Sequence, residues 1–196
     1  EINNENIWNS PNSDFKIATT LENGEVNVSA YPTFVSKDQL LSQVGQQMNA
    51  LEIYCEDIGS TVYYGPGAGP KPTASAVIAD LVDISNGGWP DTPNKENKNK
   101  LCKEGKQTFS RYFNLNVKNE AGAIAKVSSL FAEKDISIEA LIQKESKSNK
   151  NAQLNVPVII ISGPLSDVDA FQMQDNLDSM EEIPGTPKQF RIQNAL

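Results

Sequence analysis

Between residues 111 and 193 the sequence switches between two periods in a fixed order. "RYFNLNVK" (111–118) has the make-up of a strand. "AGAIAKVSSLFAEK" (121–134) spaces its apolar residues as a helix does, with Ile124, Val127, Leu130 and Phe131 on the buried side. "SIEALIQKE" (137–145) reads as a strand, "SKSNKNA" as a polar turn, and "QLNVPVIIISG" (153–163) as a strongly apolar strand. "SDVDAFQMQDNLDSM" (166–180) reads as a helix whose Ser166 and Asp169 resemble a capping box. Its buried stripe is expected to be Ala170, Met173, Leu177 and Met180. "PKQFRIQ" (187–193) supplies a last strand. The order β-α-β-β-α-β is that of a ferredoxin-like unit, one sheet with two helices on a single face. Its other face is left for a second copy or another domain.

The first part of the chain is less regular. "FKIATT" (15–20) and "EVNVSAY" (25–31) flank Asn23-Gly24, a strong short hairpin signal. Pro32 ends that strand, and "SKDQLLSQV" reads as one or two helical turns. "NALEIYCE" (49–56) and "STVYYG" (60–65) pair around the turn "DIGS". From Thr73 onward, Ala74, Val77, Ile78, Leu81 and Ile84 fall at helical spacing. The fold class is therefore α+β. A partial antiparallel sheet with one packed helix (15–86) precedes the ferredoxin-like domain (110–196). Residues 87–109, rich in Gly, Pro, Asn and Lys, read as a linker. Residues 1–14, which include an asparagine-rich run, read as an added or disordered segment.

Composition removes several functions. The net charge is −8, which repels a nucleic acid backbone, so no nucleic-acid partner is expected. No run approaches the roughly 18 apolar residues that a membrane helix needs. There is no histidine, which excludes Ser–His and Cys–His nucleophile pairs and makes a structural zinc site implausible; no metal is expected. Cys55 and Cys102 are read as reduced thiols of a cytosolic protein.

"YYGPGAGPKPTASAVIADLVDI" (63–84) raises the question of a phosphate loop. It is not G-x-x-x-x-G-K-[ST], because Lys71 stands between Pro70 and Pro72. It is not G-x-G-x-x-G either: Gly67 and Gly69 fit the first pair, but the third glycine falls at Pro72. The plain reading is a strand-to-helix turn that needs positive φ. A glycine backbone still admits a planar ligand, and a helix start offers backbone donors.

The segment "YPTFVSKDQLLSQV…NALEIYCEDIGSTVYYGPGAGPKPTASAVIADLVDI" resembles the C-terminal part of the catalytic region of homoserine dehydrogenases. That family carries a proline-threonine strand, an N-A strand, and then Y-G-P-G-A-G-x-x-P-T-A-S-A-V-x-x-D-L-V-D. "NEAGAIAKVSSLFAEKDISIEALIQKE" is similar to the ACT domain that many bacterial members carry. The resemblance implies NAD(P)-dependent interconversion of L-aspartate 4-semialdehyde and L-homoserine, on the route to threonine, methionine and isoleucine. It places Gly67 and Gly69 near the nicotinamide, with Thr73 and Ala74 next. It puts the family's catalytic lysine and dinucleotide-binding half upstream of anything present. The chain therefore reads as a fragment, inactive alone, with no cofactor bound to it. Three departures stand out. The dinucleotide half is missing, Tyr31 replaces a usual histidine, and Asn119-Glu120-Ala121-Gly122 replaces D-x-P-G.

ACT domains bind small amino acids between the first strand and first helix. Here that implies Asn119, Ala121, Gly122, Ala123 and Ile124, with Ser137 and Ile138 contributed from a neighbouring subunit. L-threonine is the effector the resemblance implies, in a homodimer or homotetramer. The plain alternative is a βα turn with Gly122 kept for packing. At the level of the whole chain, the alternative is a stand-alone ACT-type binding or oligomerisation module without catalysis.

Overall fold

The computed structural model describes residues 15–20, 25–88, 100–102, 107–143 and 154–193. Its strands are β1 (Phe15–Thr20), β2 (Glu25–Tyr31), β3 (Thr33–Val35), β4 (Met48–Cys55) and β5 (Gly59–Pro66), the last followed by helix α1 (Pro70–Ser85). Then come β6 (Lys100–Leu101), β7 (Thr108–Lys118), α2 (Ala123–Glu133), β8 (Ile138–Gln143), β9 (Asn155–Ser166), α3 (Asp167–Asp178) and β10 (Lys188–Gln193). A 3₁₀ turn spans Leu40–Gln43 and is entered from Gln39. The fold is α+β.

The chain divides into two compact units. One contains Val35–Asn99. The other joins Asp14–Phe34 to Lys100–Asn194, so the first hairpin packs with the C-terminal unit and not with the strands that follow it in sequence.

In the C-terminal unit the sheet order is β3-β10-β7-β9-β8. β10-β7, β7-β9 and β9-β8 pair antiparallel, for example Phe113↔Ile160 and Arg111↔Arg191. Strands β10-β7-β9-β8 with α2 and α3 form the expected βαββαβ unit, and β3 extends its edge. One sheet face meets the helices through Phe113, Leu115, Val158, Ile160, Val127, Phe131, Met173 and Leu177. Val127 and Phe131 of the expected α2 stripe are fully buried, while Ile124 and Leu130 pack partly buried beside them. Ala170, Met173 and Leu177 are buried in α3, with Met180 at the margin. The Ser166 hydroxyl accepts the Asp169 N–H at 3.1 Å, the cap expected of that spacing, and donates to the Asp169 carboxylate at 2.6 Å, where a full capping box has that carboxylate take the Ser166 backbone N–H. On the other face Phe34 packs edge-on to Tyr112 at 4.9 Å and against Phe190 at 5.0 Å.

β1 and β2 form the expected hairpin, from Phe15↔Tyr31 to Thr20↔Val26; its Asn23-Gly24 turn lies outside the described residues. Residues 100–101, read above as linker, pair parallel with β2 at Glu25 and Val26. Strand β7 begins at Thr108, three residues before the sequence suggested. The remainder of the supposed linker, 89–99 and 103–106, and residues 1–14 lie outside the described residues.

The other unit has a different character. β4 and β5 pair antiparallel from Met48↔Pro66 to Cys55↔Gly59. α1 begins at Pro70 rather than at Thr73, because proline fits the first turn, where no N–H is needed. The stripe Ala74, Val77, Ile78, Leu81 and Ile84 is exposed throughout, and no α1 residue is buried. The packed helix expected from that periodicity is thus uncovered in this chain. Every buried apolar side chain among the described residues lies between Tyr112 and Pro187.

Candidate functional site

The glycine loop leaves β5 at Pro66 and enters α1 at Pro70. Both Gly67 and Ala68 donate their N–H to the Gln47 carbonyl, at 2.8 and 3.3 Å. Gly69 caps the helix with φ 120°, a conformation that side chains rarely adopt. Gly67 is glycine for another reason: a Cβ there would lie 1.9 Å from Asn49 Nδ2 and 2.2 Å from its Cγ. Asn49 belongs to β4, directly opposite Gly65. Together Asn49, Tyr63, Tyr64, Gly65 and Gly67 line an open depression.

The loop's donors are largely spent. Pro70 and Pro72 have no N–H, and Thr73 donates to the Gly69 carbonyl at 3.1 Å. In the first turn this leaves the backbone N–H groups of Gly69 and Lys71. The cluster of free donors expected at the helix start is therefore not what Thr73 provides. The loop therefore presents no run of successive free amides to cradle a phosphate. Thr73 and Ala74 stand exposed on the first turn of α1.

The second candidate site lies in the βαββαβ unit. Gly122 precedes α2 with φ 90° and nothing within 4 Å of a would-be Cβ, so packing does not require glycine there; the backbone does. Asn119 donates its N–H to the Leu154 carbonyl at 2.8 Å, and Asn119, Ala121 and Gly122 are exposed. Ala123 is a core residue, and its N–H is already taken by the Glu120 carbonyl at 3.2 Å. Ile124, partly buried, leans on that core. The next free helix donors are the N–H groups of Ile124 and Ala125.

Ser137 and Ile138 are not brought to this loop. Ile138 pairs with Ser162, whereas the β7 end that leads to Asn119 pairs Lys118 with Asn155. Seven residues of β9 separate those levels, about 23 Å at ~3.3 Å per residue. Ser137 instead packs on β9: it accepts the Gly163 N–H at 2.9 Å, and its Oγ would be 2.3 Å from a Cβ at Gly163. Within one chain the seven residues form two separate groups.

Beside Gly122, Lys126 pairs with Glu182. That hydrogen bond holds the Glu182 carboxyl below its ordinary range and raises the Lys126 ammonium. A buried ionic cluster sits at the far end of the same sheet. Arg111 and Arg191, directly paired across β7 and β10, share the Asp167 carboxylate. Desolvation lowers the Arg111 pKa, and the Asp167 hydrogen bond opposes that shift. Neither Asn49 nor this cluster was singled out from sequence. Asn49 was visible only as part of a strand, and the arginines lie 80 residues apart.

No described helix is long and apolar enough to cross a membrane.

Residues 3–82 match the family model for homoserine dehydrogenase. A homoserine dehydrogenase of Helicobacter pylori is 28% identical over 171 residues, 86% of this chain and 40% of that protein. One from Neisseria gonorrhoeae is 35% identical over 129 residues, 61% of this chain and 30% of that protein. The chain thus spans at most about two-fifths of the length of these relatives. A crystal structure of a homoserine dehydrogenase from Thiobacillus denitrificans shares the fold, with a TM-score of 0.68 at 23% identity, covering 93% of this chain and 43% of that one.

Proposed function

We propose that this chain, whose residues 3–82 are homoserine dehydrogenase family sequence, is one portion of such an enzyme. The parent protein interconverts L-homoserine and L-aspartate 4-semialdehyde with NAD(P) in the cytoplasm. The observation that carries this reading is the glycine loop: it falls within the matched segment, and Asn49 of β4 packs against Gly67 beside an open depression. When bound, the dinucleotide supplies hydride chemistry. Gly65 to Gly69 then offer a surface for its flat end, and the spent donors of the loop leave its phosphates to other parts of the enzyme. This chain holds the ring end and excludes water beside it; the proton-handling groups are supplied from outside it.

The uncovered stripe of α1 and the exposed Leu51, Ile53, Tyr54 and Tyr63 of the hairpin support a second reading of the same unit. They form the surface that the rest of the enzyme, or a second subunit of a dimer or tetramer, covers. A monomeric chain would leave this apolar area in water. The test is genetic complementation: the complete coding sequence restores growth of a bacterium lacking homoserine dehydrogenase on medium without homoserine, and residues 1–196 alone do not. Failure of the complete sequence to restore growth would count against the reading.

The βαββαβ unit serves as an ACT-type module for a small amino acid, L-threonine first. Asn119 and the α2 start of one subunit face Ser137 and Ile138 of another, since within one chain they stand at opposite ends of the sheet. Calorimetric titration with L-threonine tests this, with L-methionine and L-isoleucine as comparisons. Saturable threonine heat lost in Gly122→Val supports sensing. A folded sample giving no heat would make the unit an oligomerisation module.

A further inference from the structure

The place of Gly67 in this loop is fixed by one side chain. Asn49 fills the volume that a Cβ of Gly67 would need, with Nδ2 1.9 Å, Cγ 2.2 Å and Oδ1 2.6 Å from that position. The carboxamide therefore lies flat against the Gly67 backbone. It is exposed, faces the depression shared with Tyr63 and Gly65, and is engaged by no other described residue. A carboxamide has two donors and an acceptor, and here all of them are available to a ligand.

We propose that Asn49 is the side chain of this unit that orients the nicotinamide at the glycine loop, by an amide-to-amide hydrogen-bonded pair with the nicotinamide carboxamide. The inference rests on the dehydrogenase reading above and adds a residue to it. Gly67 has a second role in this arrangement. It is small so that Asn49 can lie against the backbone, and a methyl at Gly67 evicts the carboxamide. Asn49→Ala and Gly67→Ala are therefore two ways of making the same change.

The test uses the complete enzyme: the Kd of the reduced dinucleotide from its fluorescence on titration, which Asn49→Ala is expected to raise about tenfold, and steady-state kinetics with the natural dinucleotide and its 3-acetylpyridine analogue, which lacks the amide N–H₂. Asn49→Ala is expected to raise KM for the natural dinucleotide about tenfold, while kcat and the aldehyde KM change less than about twofold, as for loss of a contact made equally in ground and transition states. With the analogue that penalty shrinks to about threefold, because one of the paired bonds is already missing. Gly67→Ala is expected to give the same KM shift, and the double variant no more than either single one. An unchanged dinucleotide KM in Asn49→Ala, or multiplied effects in the double variant, would overturn the role of Asn49 while leaving the dehydrogenase reading intact. Absence of turnover in the unsubstituted enzyme would overturn both.

Discussion

Arg191 grips Asp167 through both carboxylate oxygens, with Nη2 on Oδ2 at 2.5 Å and Nε on Oδ1 at 3.1 Å. Arg111 takes Oδ1 as well, at 2.5 Å. Arg191 is 1% exposed and Arg111 4%. The Arg191 guanidinium also lies 3.8 Å from the Tyr31 ring centroid and donates to the Ser29 hydroxyl at 2.9 Å. One carboxylate at the start of α3 thus ties β7, β10 and, through Arg191, β2 together. Two buried cations on one anion are costly to leave unpaired.

Asp167→Asn is expected to destabilise the chain by about 3 kcal/mol, because it leaves two desolvated guanidinium groups without a counter-charge. Urea denaturation followed by circular dichroism reads this as a lower midpoint. A midpoint equal to that of the unsubstituted chain would mean that water screens the cluster.

Truncations in the two units are expected to diverge. Phe131 is fully buried against Phe113, with ring centroids 5.5 Å apart, so Phe131→Ala should cost about 3–5 kcal/mol. Leu81 is 60% exposed, so Leu81→Ala should shift stability of the isolated chain by less than about 0.5 kcal/mol. If the stripe is covered in the complete enzyme, as proposed above, Leu81→Ala is expected to be destabilising there. Equal, small effects of Leu81→Ala in both settings would refute that covering.

Gly122→Ala is expected to cost about 1 kcal/mol from backbone strain alone, since φ is 90° and no atom stands in the way of the methyl. A crystal structure of the variant should show the loop unchanged. A rearranged Asn119–Gly122 loop with no loss of stability would contradict this.

The Lys126–Glu182 pair gives a pH signature. Its hydrogen bond lowers the folded pKa of Glu182, so its contribution is present above the ordinary carboxylate range and is lost as pH falls through the lowered value. Lys126 is raised, so its contribution holds up to the ordinary lysine range and is lost only as pH climbs through the raised value. The difference in melting temperature between the unsubstituted chain and Lys126→Met should therefore be present at neutral pH, vanish in acid, and shrink with salt. A difference that persists in acid would assign it to packing.

The βαββαβ unit was legible because its periods are clean: Val127 and Phe131 in α2, and Ala170, Met173 and Leu177 in α3, face one core. The α1 stripe has the same spacing, yet no described residue buries it, since periodicity reports an apolar face and not what meets it. β6 was hidden because a two-residue strand in a lysine-rich run has no pattern of its own; only its pairing with Glu25 and Val26 defines it. In the glycine loop, Gly69 could be anticipated from its turn. The reason for Gly67 could not, because it depends on Asn49, 18 residues away on the neighbouring strand. Ser137 and Ile138 were expected to reach the Gly122 loop from a neighbouring subunit, and within one chain they stand at the Ser162 level of β9, away from it.

The most direct measurement is the rate of NAD(P)⁺ reduction with L-homoserine, followed at 340 nm, for the complete enzyme and for residues 1–196 alone. Turnover by the complete enzyme and none by residues 1–196 alone is expected. Turnover by the isolated chain, or none by the complete enzyme, would contradict this expectation.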